Sequence, residues 1–140
     1  MPTPLRDARD TFLHFMSDNL SMPVHAMRCD PNDPSADLLM PNAVNIEFLN
    51  VNFDTISVLQ VVIDVLNDDE NTAADWMESV WQLLRSAFYT TVFNYTVPAT
   101  PVSQHTNIMW DRGAVKFRRV SNNNYTHYSC ILPVKFSAII

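Results

Sequence analysis

The stretch Val44–Phe88, VNIEFLNVNFDTISVLQVVIDVLNDDENTAADWMESVWQLLRSAF, reads as strand, strand, helix and decides the fold. Val44, Ile46 and Phe48 alternate with Asn45 and Glu47, the period of two of a half-buried strand. Ile56 to Leu66 is rich in β-branched residues on both parities: Ile56, Val58 and Val62 on one, Val61, Ile63 and Val65 on the other. That pattern predicts a strand with both faces covered. Asn52 to Thr55 makes the turn between them, which gives a hairpin of strands at about 43–53 and 56–66. After NDDENT, the residues Ala73, Trp76, Met77, Val80, Trp81, Leu84 and Phe88 recur at helical spacing over about 72–88. Two indoles on that stripe predict a helix that lies on the sheet through them, and Thr72 with Asp75 reads as its capping box.

Before this stretch, Thr3-Pro4 suits a helix start, and Leu5, Ala8, Phe12 and Leu20 carry a helical stripe over about 4–20. Pro23 stops it. Residues 21–43 hold four prolines and read as an extended loop or arm, with a short strand at Val24 to Met27 as the one regular element. After it, Tyr89 to Val97 is β-prone, and 98–106 reads as a polar loop within an extended segment, 98–113. A strand runs near Ile108 to Trp110, breaks at Asp111-Arg112-Gly113, and resumes through Ala114 to Val120. SNNN makes a turn into a last strand, Tyr125 to Ile140, with Tyr128, Cys130, Leu132, Val134 and Phe136 inward. Pro133 predicts that the middle of this strand lies at an edge or a bulge. The whole chain, 1–140, is then one α+β domain, a mixed or antiparallel sheet of about four to five strands packed by two helices.

Composition narrows the function classes. The chain is 47% hydrophobic and 17% charged, a balance that favours a folded core. Its net charge of −6, with nine scattered basic residues, argues against specific nucleic-acid binding, which needs clustered Lys and Arg. No run approaches 18 apolar residues and the N-terminus lacks an apolar signal core, so neither a membrane span nor a secretion signal is expected. The two cysteines, Cys29 and Cys130, form no CxxC and read as a free pair. The single glycine, Gly113, removes P-loop and dinucleotide fingerprints and leaves left-handed turns to Asn and Asp.

Candidate chemistry is sparse. His25, Cys29, Asp30 and Asp33 contain metal-ligand types, but a second close pair is missing, and His127 and Cys130 point to opposite faces of a strand. Asp68-Asp69-Glu70 lacks the alternating oxygens and central glycine of a calcium loop and reads as a turn that caps the helix. Ser, His and Asp occur without a nucleophile elbow. The expectation is therefore no catalytic residue, no metal and no cofactor. Trp76, Trp81 and Trp110 could line a ligand pocket, although aromatics at helical spacing are more often core. Lys116 and Arg118 share one face of their strand, and Arg119 takes the other.

The order of elements carries a resemblance. An N-terminal helix and a Pro-rich link lead into the hairpin NIEFLNVNFDTISVLQVVIDVLNDD, the helix TAADWMESVWQLLRSAF and the late hairpin GAVKFRRVSNNNYTHYSCILPVKFSAI. Over nearly its whole length the chain resembles the tail terminator, or tail completion, proteins of long-tailed bacteriophages. The resemblance implies a virion structural protein that forms a homo-oligomeric, hexameric ring on the tail tube protein, ends tube polymerisation and docks to a neck or head-completion protein. It implies no enzyme activity. The acidic turn Asp68, Asp69 and Glu70 and the basic Lys116 and Arg118 are the candidate subunit-interface residues, complementary between neighbouring copies. The other readings are a different neck or head-completion protein, a small-molecule-binding module built around the tryptophans, and a hydrolase without a recognisable motif.

Overall fold

A computed structural model describes residues 4–26, 39–88, 105–111, 115–120 and 124–139. In chain order the elements are α1 (Pro4–Asn19), β1 (Val24–Ala26), β2 (Ala43–Asn52), β3 (Ser57–Asn67), α2 (Glu70–Ser86), β4 (His105–Met109), β5 (Phe117–Val120) and β6 (Thr126–Ile139). The fold class is α+β, with one mixed sheet of six strands, one more than the upper expectation. β1 falls at the short strand expected at Val24 to Met27, and β4 extends backwards the strand expected near Ile108 to Trp110. β1 lies parallel to β2 inside 21–43, and β4 starts at His105 inside the expected 98–106 loop. The expectations for 27–38 and 89–104 lie outside the described residues.

The sheet order is β1-β2-β3-β6-β4, with β5 also on β6. β2 and β3 form the predicted antiparallel hairpin, with a bulge between Phe48 and Asn50. At its turn the Asp54 backbone N–H donates to Ser57 Oγ at 3.3 Å. β6 pairs with β3 from Thr126 to Phe136. On its other side β5 pairs with 127–130 and β4 with 135–139. β4 and β5 are thus two halves of one interrupted strand, as the Asp111-Arg112-Gly113 break implies. Pro133 falls where neither half pairs with β6. β6 is therefore inner at its two ends, while its middle is open on one side, as Pro133 predicts. The proline is tolerated because, among the described residues, no strand asks for a hydrogen bond on that side there.

Both helices cover one face. Ala8, Phe12 and Met16 of α1 are fully buried, one turn apart. On the sheet, Val44, Ile46, Leu59, Val61, Ile63, Val65, Leu132 and Val134 face them. Trp110 leaves the end of β4 and is fully buried between the helices. Its Nε1 donates to Leu84 O at 2.9 Å, and its ring meets Phe12 edge-on at 5.6 Å and Phe15 at 5.5 Å. The bond adds a second donor to a carbonyl at the end of α2 that also accepts from Ala87 N at 3.2 Å.

Two expectations for the central stretch are corrected. β3 is covered on both faces only in its second half, where Asp64 and Leu66 are buried; in its first half Val58, Gln60 and Val62 stay half-buried opposite the helix side. The indoles do not seat α2. Its buried residues are Ala73, Val80 and Leu84, while Trp76 and Trp81 are half-buried at its flanks. Small residues let the helix approach closely, and large rings pack beside the contact. The cap differs too. Asp69, not Thr72, is the N-cap, and its Oδ2 accepts from Thr72 N at 2.9 Å and Thr72 Oγ1 at 2.7 Å. Asn42 takes the left-handed backbone, φ 57°, that the scarcity of glycine hands to asparagine, and its Oδ1 accepts from Asp68 N.

Candidate functional site

The surface that stands out is the sheet itself, on its helix-free face and at its flanks. Strand registers place Asn45, Glu47, Asn50, Val58, Gln60, Val62, Asp64, His127, Ser129, Ile131 and Lys135 on that face. It has two chemically different ends. Near β1, Asn45 is fully buried; its Oδ1 accepts from Met40 N at 2.7 Å and its Nδ2 donates to Met40 O at 3.0 Å. Residues 39–40 are thereby tied to that end of the face. Beside them His127 Nε2 donates to Asp64 Oδ1 at 2.7 Å, with both side chains about 10% exposed. This pair joins the two central strands across the register.

The other end is open and partly apolar. Ile131 is 54% exposed in the middle of β6. The bulge sets Leu49, 47% exposed, beside Asn50 opposite Gln60. Phe53 and Ile56, 65% and 59% exposed, stand at the hairpin tip, where Phe53 meets Phe136 edge-on at 6.4 Å. Exposed apolar side chains grouped at one end of a sheet mark an interaction surface more than scattered ones do.

The flanks are also open. β1 borders β2 only from Val44 to Ile46. Among the described residues, no strand borders Glu47 to Asn52 on that side, and none borders the outer side of β4 or β5.

The sequence-predicted residues fall near one another. Asp68, Asp69 and Glu70 form the turn from β3 into α2, and Lys116 and Arg118 lie at β5. All five are exposed. Glu70 Oε1 meets Arg119 Nη1 at 3.3 Å within the same chain, in an exposed pair. Asp69 serves the helix start, and the two Thr72 hydrogen bonds, side chain first and backbone second, hold its carboxyl below the usual range. Arg118, on the opposite face from Arg119, has no ion pair among the described residues. Sequence reasoning missed the Asp64–His127 pair, and a lone Asp in ISVLQVVIDVL is the signal that could have found it.

Other candidates are accounted for more simply. His127 and Cys130 do face opposite ways: Cys130 is buried on the helix side. Burial, aided by the Asp64 charge and opposed by the Lys116 backbone N–H, pushes its thiol up to about 12. Among the described residues, no group of three or more His, Cys, Asp or Glu could hold a metal ion. Among them, too, no helix is long and apolar enough to cross a membrane. Trp110 is a core residue, distinct from Trp81, which packs on Phe88 at 5.6 Å. A groove of about 700 Å³ runs between the end of α1 and α2, with Leu20, Met22 and Leu83 beside Asp75 and Glu78.

Fold and surface define a two-layer α+β fold whose sheet, among the described residues, is open at both flanks and on one face. No protein-family model matches the chain, and no curated protein matches it either.

Proposed function

We propose that this protein is a virion structural subunit that assembles into a closed, hexameric ring on the head-proximal end of a phage tail tube. There it ends tube growth and offers a docking surface to a neck or head-completion protein. The observation that carries the reading is the pair of unlike open flanks. Among the described residues, no strand borders β2 from Glu47 to Asn52 on one side of the sheet, and none borders β4 or β5 on the other. Different surfaces on opposite sides make a head-to-tail contact, which closes into a ring when the rotation allows. The helix-covered and helix-free faces are then free to meet different neighbours, as a subunit between a tube and a neck requires. The element order supports the phage-tail assignment through the resemblance described above.

Negative-stain imaging of the purified protein tests it. The expected result is annular particles of uniform size. A compact monomer at every concentration, with melting raised by a small ligand, would overturn it in favour of a ligand-binding module that uses the groove between α1 and α2.

A further inference from the structure

Resting on the ring reading, we infer that neighbouring copies join by strand pairing, β5 of one copy adding to the bare edge of β2 of the next at Glu47 to Asn50. Direction, parity, fit and charge each support this contact.

Direction comes first. β2 is antiparallel to β3, β3 to β6, and β6 to β5. β5 therefore runs antiparallel to β2 in the frame of the sheet. A neighbour that continues the sheet head to tail brings its β5 to β2 in the antiparallel sense, the slightly more stable pattern.

Parity fixes the register. Through the pairings Val120↔His127, Leu66↔His127 and Ala43↔Leu66, Val120 stands level with Ala43, and by the same route Phe117 stands level with Ile46. β1 already occupies β2 from Val44 to Ile46. The neighbour must slide along the strand until its β5 clears β1. Because side chains alternate, only an even slide keeps the helices of both copies on one side of the joined sheet. Two residues still collide with β1. Four residues, about 13 Å, place Val120 opposite Glu47 and Arg119 opposite Phe48, and past the bulge at Leu49 Arg118 meets Asn50 on the helix-free face. A fixed slide per copy tilts the strands against the ring axis, as shear does in a barrel.

Charge agrees with that register. Arg118, exposed and without an ion pair among the described residues, lands diagonal to Glu47 on the helix-free face, within reach of long side chains. Arg119 lands beside Phe48 on the other face. The bulge at Leu49 limits pairing to a short segment, which suits the four residues of β5 and discourages open-ended edge stacking.

Disulfide mapping tests the contact, in a Cys29→Ser chain that keeps the buried Cys130. Within one chain β2 and β5 are three strand spacings apart, about 14 Å, so a Glu47→Cys/Val120→Cys bond can form only between copies. The expected result after oxidation is a ladder of linked oligomers on a non-reducing gel, with none for Asn52→Cys/Val120→Cys. A wild-type protein that forms rings while E47C/V120C gives no ladder, or while N52C/V120C links equally well, overturns this contact and leaves the ring reading standing. A wild-type protein that stays monomeric and gives no ladder overturns both. If the cysteine variants fold poorly, charge exchange decides. Arg118→Glu should dissociate the ring and E47R/R118E should restore it; rings that survive R118E unchanged overturn the contact.

Discussion

The two faces of the sheet are built from the same strands by opposite rules. On the helix side, Val44, Ile46, Val61, Ile63, Val65, Leu132 and Val134 are buried by α1, α2 and the indole of Trp110. On the other side, one residue along in each strand, Gln60, Val62 and Ile131 remain in contact with solvent, and the buried patch at one end sets the polar Asn45, Asp64 and His127 beside Ala43 and Leu66. The contrast teaches where the chain keeps its stability and where it keeps its freedom to associate. Apolar burial contributes stability on one face, at about 25 cal/mol per Å² removed from water. On the other face, exposed apolar and charged groups cost little in the monomer and, on the ring reading proposed above, are what a neighbour would cover.

If that division is right, substitutions should split sharply by face. The largest effect is expected for Trp110→Ala, which deletes a fully buried indole and the hydrogen bond it donates to Leu84 O. It should lower stability by about 3–5 kcal/mol in urea denaturation, whereas Ile131→Ala on the open face should fall within about 0.5 kcal/mol. Equal losses at the two positions would erase the distinction. Next comes His127→Ala, which removes the partner of a nearly buried carboxylate and should cost about 1.5–3 kcal/mol by the same measurement.

The alkaline limb sharpens the picture of the covered face. The Cys130 thiol is raised from an ordinary 9.0 to about 12. Its contribution is therefore complete below pH 9 and is lost as the pH rises toward 12, because the unfolded thiol ionises first. Cys130→Ala should lose less stability than the wild type between pH 9 and 12, and Cys130 should resist alkylation until the chain unfolds. The smallest effect belongs to the exposed start of α2. Asp69→Ala should lower the melting temperature slightly at neutral pH. Since the folded carboxyl titrates below its ordinary 3.8, the wild-type advantage is present above that value and disappears as the pH falls through the folded one.

Much of the covered face is legible from residues alone. Period two in Val44 to Phe48 and in Tyr128 to Phe136 announces strands, and the Asp111-Arg112-Gly113 break announces an interrupted partner for β6. β1 is legible as a short strand, but its parallel pairing is not, because three residues carry no period and their partner lies 20 residues away. The cap is ambiguous within NDDENT, where several residues can accept an amide hydrogen, and only backbone geometry selects Asp69. The stripe on α2 misleads because hydrophobicity does not say whether a bulky ring sits under a helix or beside it. The polar end of the open face is illegible for a different reason: Asn45, Asp64 and His127 are polar residues, and pattern reading assigns polar residues to water.

The central claim is that this chain works by fitting copies of itself, flank to flank. Native mass spectrometry of the intact protein tests it most directly. The account predicts one closed assembly of about 96 kDa, six times the 16.0 kDa chain, that dissociates when Arg118 is reversed in charge. A single species at the mass of one chain, unchanged across concentration, would contradict it.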